Sequence, residues 1–143
     1  LIRTWEESGY SIGFTNGCFD IIHPGHISLL HCAKNECDKL VVGLNSDSSV
    51  AKLKGKDRPI QKENARATVL LALKDVDVVI IFNEETPIKL IELIKPDVLI
   101  KGGDYKIDEI VGAEFIQQNG GRVVLSDYKK GHSTSDIIKK IES

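Results

Sequence analysis

Five short apolar, β-branched runs recur along the chain, at residues 11–15, 40–44, 76–82, 98–100 and 123–125. Each is nearly continuous rather than alternating, which is the pattern of strands covered on both faces, as in a parallel sheet with helices on either side. The stretches between them carry helical spacing. Thr86 and Pro87 open one helix as a cap and first position, with Ile91, Leu93 and Ile94 on its apolar stripe and Pro96 as its stop. Ile110, Ala113 and Ile116 mark another, ending at Asn119-Gly120-Gly121, and Ile137, Ile138 and Ile141 mark the last. Strand and helix alternate from end to end without repeats or a linker. The expected fold is a Rossmann-like, doubly wound α/β sheet of about five mainly parallel strands with helices on both faces, residues 1–143 forming a single domain.

Composition narrows the function. A chain of 143 residues supports one core. Its formal net charge of -2 leaves no electrostatic footprint for DNA or RNA, so no nucleic-acid partner is expected. No apolar run approaches the roughly 20 residues of a membrane helix and no secretion signal opens the chain, so a soluble, cytoplasmic protein is expected. Cys18, Cys32 and Cys37 fit neither a zinc pattern nor a disulfide framework. The chain starts at Leu1 rather than at a methionine, and is expected to be cut from something longer.

In a doubly wound sheet the residues just after each strand face the ligand crevice. After the first strand, Thr15 to His26 read TNGCFDIIHPGH and lead into a helix. Gly17 permits a tight turn, and Gly25 leaves the helix N-terminus open, where unpaired N–H groups and the dipole favour phosphate. His23 and His26 add two imidazoles at the same place, suited to donating to phosphate oxygens; a metal H-x-x-H pair and plain helix capping are the competing readings. His31 sits within the helix pattern and reads as a packed or surface histidine. The second strand ends in Asn45-Ser46-Asp47, followed by a basic, glycine-containing segment from Lys52 to Pro59 that reads as a loop able to close over phosphates or as a solvated charge run. Arg66 follows Glu63 on a helix, either reaching an anionic substrate or pairing with Glu63. Lys101-Gly102-Gly103-Asp104-Tyr105 follows the fourth strand beside the first loop. Gly131-His132-Ser133-Thr134-Ser135-Asp136 opens the last helix with hydroxyls suited to distal phosphates or to an ordinary cap.

With those residues in view, the chain resembles the cytidylyltransferase-like nucleotidylyltransferases, whose H-x-G-H stands here as His23-Pro24-Gly25-His26. From Thr15 to Ile141 it is similar to the D-glycero-β-D-manno-heptose 1-phosphate adenylyltransferase family, the ADP-heptose synthase domain of lipopolysaccharide precursor biosynthesis, through TNGCFDIIHPGH, LNSD, LKGKDRP, KGGDY and GHSTSDIIKKI. The resemblance implies an enzyme that transfers AMP from ATP to a sugar 1-phosphate, heptose 1-phosphate, releasing pyrophosphate and forming ADP-heptose. It implies Mg²⁺ carried mainly by the substrate phosphates, with no metal site of the protein's own. It assigns catalysis to His23, His26, Lys54 and Arg66. Thr15, Asn16, Gly17, Cys18, Phe19, Gly25, Lys101, Gly102, Gly103, Asp104, Ser133 and Thr134 fall to the nucleotide, and Asp20, Asn45, Asp47 and Arg66 to the sugar phosphate. A fused or associated sugar kinase domain and a homodimer are the expected protein partners.

Related cytidylyltransferases usually carry an arginine shortly before the glycine of the last motif, where this chain reads Asp127-Tyr128-Lys129-Lys130-Gly131. That counts against a CTP-using glycerol phosphate enzyme, while cytidylyl or guanylyl transfer to another small phosphorylated substrate stands as the alternative. A dinucleotide-dependent oxidoreductase would need G-x-G-x-x-G after the first strand, and the motif is absent. A noncatalytic nucleotide sensor would bind nucleotide without releasing pyrophosphate.

Overall fold

A computed structural model of the chain describes residues 1–103, 105–126 and 134–142. After a short helix α1 (Ile2–Glu7), the chain alternates β1 (Ile12–Gly17), α2 (Pro24–Asn35), β2 (Lys39–Asn45), α3 (Asp47–Lys54), α4 (Glu63–Leu71), β3 (Val78–Phe82), α5 (Ile88–Ile94) and β4 (Val98–Gly102). A 3-10 turn (Ile107–Glu109), α6 (Ala113–Gln118), β5 (Arg122–Ser126) and α7 (Thr134–Glu142) complete it. The strands form one parallel sheet in the order β3-β2-β1-β4-β5. This is the expected doubly wound arrangement. Its order reverses between β1 and β4, where the connections leave in opposite directions and a crevice opens beyond the carboxyl ends.

Alternation within the strands divides the core into two layers. Leu40, Val42 and Leu44 of β2 and Val98 and Ile100 of β4 pack with Leu30 and Ala33 of α2 and Leu70 of α4. Ile12 and Phe14 of β1, Val41 and Leu99 face the other way, onto Ile91 and Ile94 of α5 and Ala113 and Ile116 of α6. Each of the larger of these side chains contributes about 1.5–3 kcal/mol by leaving water, and the two alanines less. A Cβ at Gly13 would stand 2.5 Å from the Cys37 Sγ, so glycine there lets the end of α2 lie against the sheet.

Three elements differ from the pattern reading. Lys52 and Lys54 belong to the last turn of α3, not to a loop; the loop begins at Gly55, whose φ of 109° ends the helix. Ile110 lies outside α6, because Gly112 at φ 89° breaks the chain between it and Ala113 and fits against Ile91. Thr86 makes no capping bond to α5, which starts after Pro87.

Candidate active site

The turn after β1 is shaped by a buried aromatic ring. Phe19 adopts φ 46°, folding its ring beneath Gly17, where a Cβ would meet it at 2.9 Å. The same ring supports His26, with centroids 5.0 Å apart and planes tilted by 55°. His23 then takes an extended conformation as the N-cap of α2. Its Nδ1 accepts from the Gly25 N–H at 3.1 Å, and the His26 Nδ1 accepts from the His23 N–H at 3.4 Å. The imidazoles thus form a reciprocal capping pair, stacked with centroids 3.7 Å apart. Accepting at Nδ1 leaves the proton of a neutral His23 on Nε2. His26 is held neutral, its pKa pushed down to about 4 by burial and then by His23, against an opposing hydrogen bond to the backbone of Ile21.

Both histidines line a cavity of about 650 Å³ across the carboxyl ends of β1, β2 and β4. Asn16, Gly17, Cys18, Phe19 and Gly25 contribute to the same wall, with Asn45, Lys54 and Arg58 on one side and Lys101, Gly102 and Gly103 on the other. Burial lowers the pKa of Lys101, an effect Cys18 opposes and Lys54 reinforces, and its Nζ lies 5.3 Å from the centre of the Tyr105 ring. Burial raises the pKa of the Cys18 thiol, opposed by Lys54, Arg66 and Arg58, so this sulfur is a cavity wall rather than a thiolate nucleophile. Basic groups around the positive end of a helix dipole make a receptor for a polyanion. Among the described residues, no three His, Cys, Asp or Glu side chains gather as a metal cage. Nor is any described helix long and apolar enough to cross a membrane.

The cytidylyltransferase-like family profile matches residues 14–140. The chain belongs to the cytidylyltransferase-like family. It is 56% identical over 141 residues to the bifunctional protein HldE of Paramagnetospirillum magneticum, covering 99% of this chain and 29% of that protein. Against the bifunctional protein HldE of Mesorhizobium japonicum it is 54% identical over 143 residues, covering 100% of this chain and 29% of that one. The chain therefore spans about 29% of the length of these curated relatives. The crystal structure of a lipopolysaccharide core biosynthesis protein from Thermoplasma volcanium superposes with a TM-score of 0.72 at 35% identity, over 85% of this chain and 100% of that one. Pantoate-beta-alanine ligase from Francisella tularensis shares the fold, with a TM-score of 0.60 at 21% identity over 90% of this chain and 66% of that one.

Within this cytidylyltransferase-like site, four residues named from the sequence do not reach the cavity wall. Arg66 is fully buried: its Nε donates to the Gln61 carbonyl at 2.9 Å, Nη1 to the carbonyls of Cys18 at 2.8 Å and Asn45 at 2.7 Å, and Nη2 to Asp47 Oδ1 at 2.9 Å. It bolts the ends of β1 and β2 to the start of α4, leaving little of the guanidinium for a substrate. Its acidic partner is Asp47, not Glu63, and Glu63 instead accepts from the Asp47 N–H. Asp47 is thereby engaged, and Asp20, also buried, accepts from Arg58, Ile60 and Gln61. Thr15 lies within β1, and its Oγ1 is the one buried side-chain polar atom without a hydrogen-bond partner among the described residues. Asp104 and Ser133 lie outside the described residues, and Thr134 is the first residue of α7. The sequence reading missed Arg58, Glu85 and Thr86 as cavity residues. The strand-end rule applied after β3, as it was after β1 and β4, points to Glu85 and Thr86; Arg58 stood unmarked inside the basic run.

Proposed function

We propose that this chain is the nucleotidyl-transferring part of a longer protein, joining AMP from ATP to heptose 1-phosphate and releasing pyrophosphate. The observation that carries the reading is the stacked His23–His26 pair, built into the N-terminus of α2 and facing a cavity at the β1/β4 switch point. Support for the sugar comes from LKGKDRP and KGGDY and from the lipopolysaccharide-related name of the Thermoplasma relative. Relatives called bifunctional, more than three times as long, support a fused sugar kinase.

In the proposed reaction an oxygen of the sugar phosphate attacks the α-phosphorus of ATP. That O–P bond forms as the bond from the α-phosphorus to the pyrophosphate oxygen breaks, giving ADP-heptose and pyrophosphate. A phosphate monoester has its second pKa near about 6, so the nucleophile is mostly ionised at neutral pH and needs positioning more than a base. Imidazole N–H groups and the α2 N-terminus meet charge as it develops on the phosphates, with Lys54 and Lys101 beside them. Mg²⁺ carried by the triphosphate supplies further charge neutralisation. ATP and phosphorylated sugars are cytoplasmic metabolites, so the proposal includes that location.

The test is to incubate the protein with Mg²⁺, a panel of sugar 1-phosphates, and ATP, CTP or GTP separately, following pyrophosphate. Release with ATP and heptose 1-phosphate is expected. Nucleotide binding without release for any pair overturns the reading in favour of a sensor, and preference for CTP or GTP overturns the choice of nucleotide.

A further inference from the structure

Arg58 differs from the other cations of the cavity in how it is held. Lys54 is exposed, whereas the Arg58 side chain is only 13% exposed and its Nε donates to the Asp20 Oδ2 at 2.9 Å. The fully buried Asp20 carboxylate also accepts from the Ile60 N–H at 2.7 Å and the Gln61 N–H at 2.9 Å. Burial opposes its ionisation, but the hydrogen bonds from Gln61, Ile60 and Arg58 outweigh that and keep its pKa below the ordinary value. One buried anion therefore fixes both the guanidinium and the backbone that follows it.

With only Nε engaged, the two Nη groups of Arg58 have no partner among the described residues, and the side chain lines the cavity. A fixed planar fork with unused donors matches the oxygens of a phosphate. Its place decides which phosphate. In-line displacement requires the entering oxygen opposite the leaving one. In the transfer reading the positive end of the α2 dipole and the imidazoles meet the triphosphate at β1 and β4, which leaves the β2 side, where Arg58 lies with Asn45, for the acceptor.

We propose that Arg58, positioned by Asp20, binds the phosphate of the acceptor and selects phosphorylated acceptors over neutral alcohols and water. This rests on the transfer reading above, and the test separates the two. Arg58→Ala should raise the KM for the sugar 1-phosphate by roughly 10- to 100-fold, the loss of a charge-assisted pair, while the KM for ATP stays within about twofold. Added guanidinium should restore part of the loss. Asp20→Asn, acting through Arg58, should shift the same KM in the same direction with kcat little changed. A rise in the KM for ATP instead, or no change in either, overturns the assignment. If wild-type protein releases no pyrophosphate with any pair, the transfer reading has failed, and calorimetry with inorganic phosphate still decides on Arg58. Uptake by wild type that Arg58→Ala loses supports the site, and equal uptake or none in either overturns it.

Discussion

The turn after β1 and the loop after α3 both bring cations or imidazoles to one cavity, yet they are held in opposite ways. His23 and His26 are fixed by bonds within four residues of chain, each capping the backbone that carries the other. Arg58 and its neighbours are fixed by Asp20, some forty positions earlier. Arg66 extends the second kind of support, joining segments that meet only in the folded chain. A locally built site survives small disturbances of its surroundings; one held from a distance depends on the whole layer beneath it.

Removing the distant support should have the largest effect. Arg66→Met leaves three carbonyls and Asp47 without their donor, and the expected loss is about 3–5 kcal/mol of unfolding free energy in urea. A loss below about 1 kcal/mol would erase the contrast drawn above. Next comes His26→Ala, expected to lower kcat by roughly 100-fold or more in a variant that still folds, with the melting temperature lowered by a few degrees through loss of the cap; wild-type turnover in the folded variant refutes its role. Acid should act through the same ring. Folded His26 stays neutral down to about pH 4, whereas an unfolded histidine takes its proton near about 6.5. Between those values the unfolded chain binds more protons, so stability falls as pH drops through that window. Urea midpoints of His26→Gln should slope less there than those of wild type, and parallel slopes contradict the assignment. The smallest effect is at Ser46, whose Oγ accepts from the Ser49 N–H at 3.2 Å to cap α3. Ser46→Ala should cost about 1 kcal/mol without changing either KM, and a shift in KM would mean that α3 aims Lys54 more tightly than its exposure suggests.

The same contrast explains what could be read from the chain. All five strands stand within two residues of their apolar runs, because burial on both faces writes itself directly into composition. The histidine turn was legible because its partners are neighbours in sequence. Arg66 and Arg58 look alike as letters, and nothing local separates a guanidinium engaged by carbonyls from one facing a cavity. Backbone acceptors leave no trace in side-chain identity. Asp20 and Asp47 lie off the cavity wall, and their letters do not show it: a carboxylate after a strand suits a sugar hydroxyl as well as it suits an amide or a guanidinium brought in from elsewhere. α1 escaped notice because its six residues bury no side chain fully.

The two carbonyls that share the Arg66 Nη1 belong to Cys18 and Asn45, at the mouths of adjacent strands. A flat, conjugated group cannot stretch, so the spacing between the ends of β1 and β2 is set before anything enters the cavity. Whatever enters the cavity therefore meets a rim whose width the protein's own framework has already chosen.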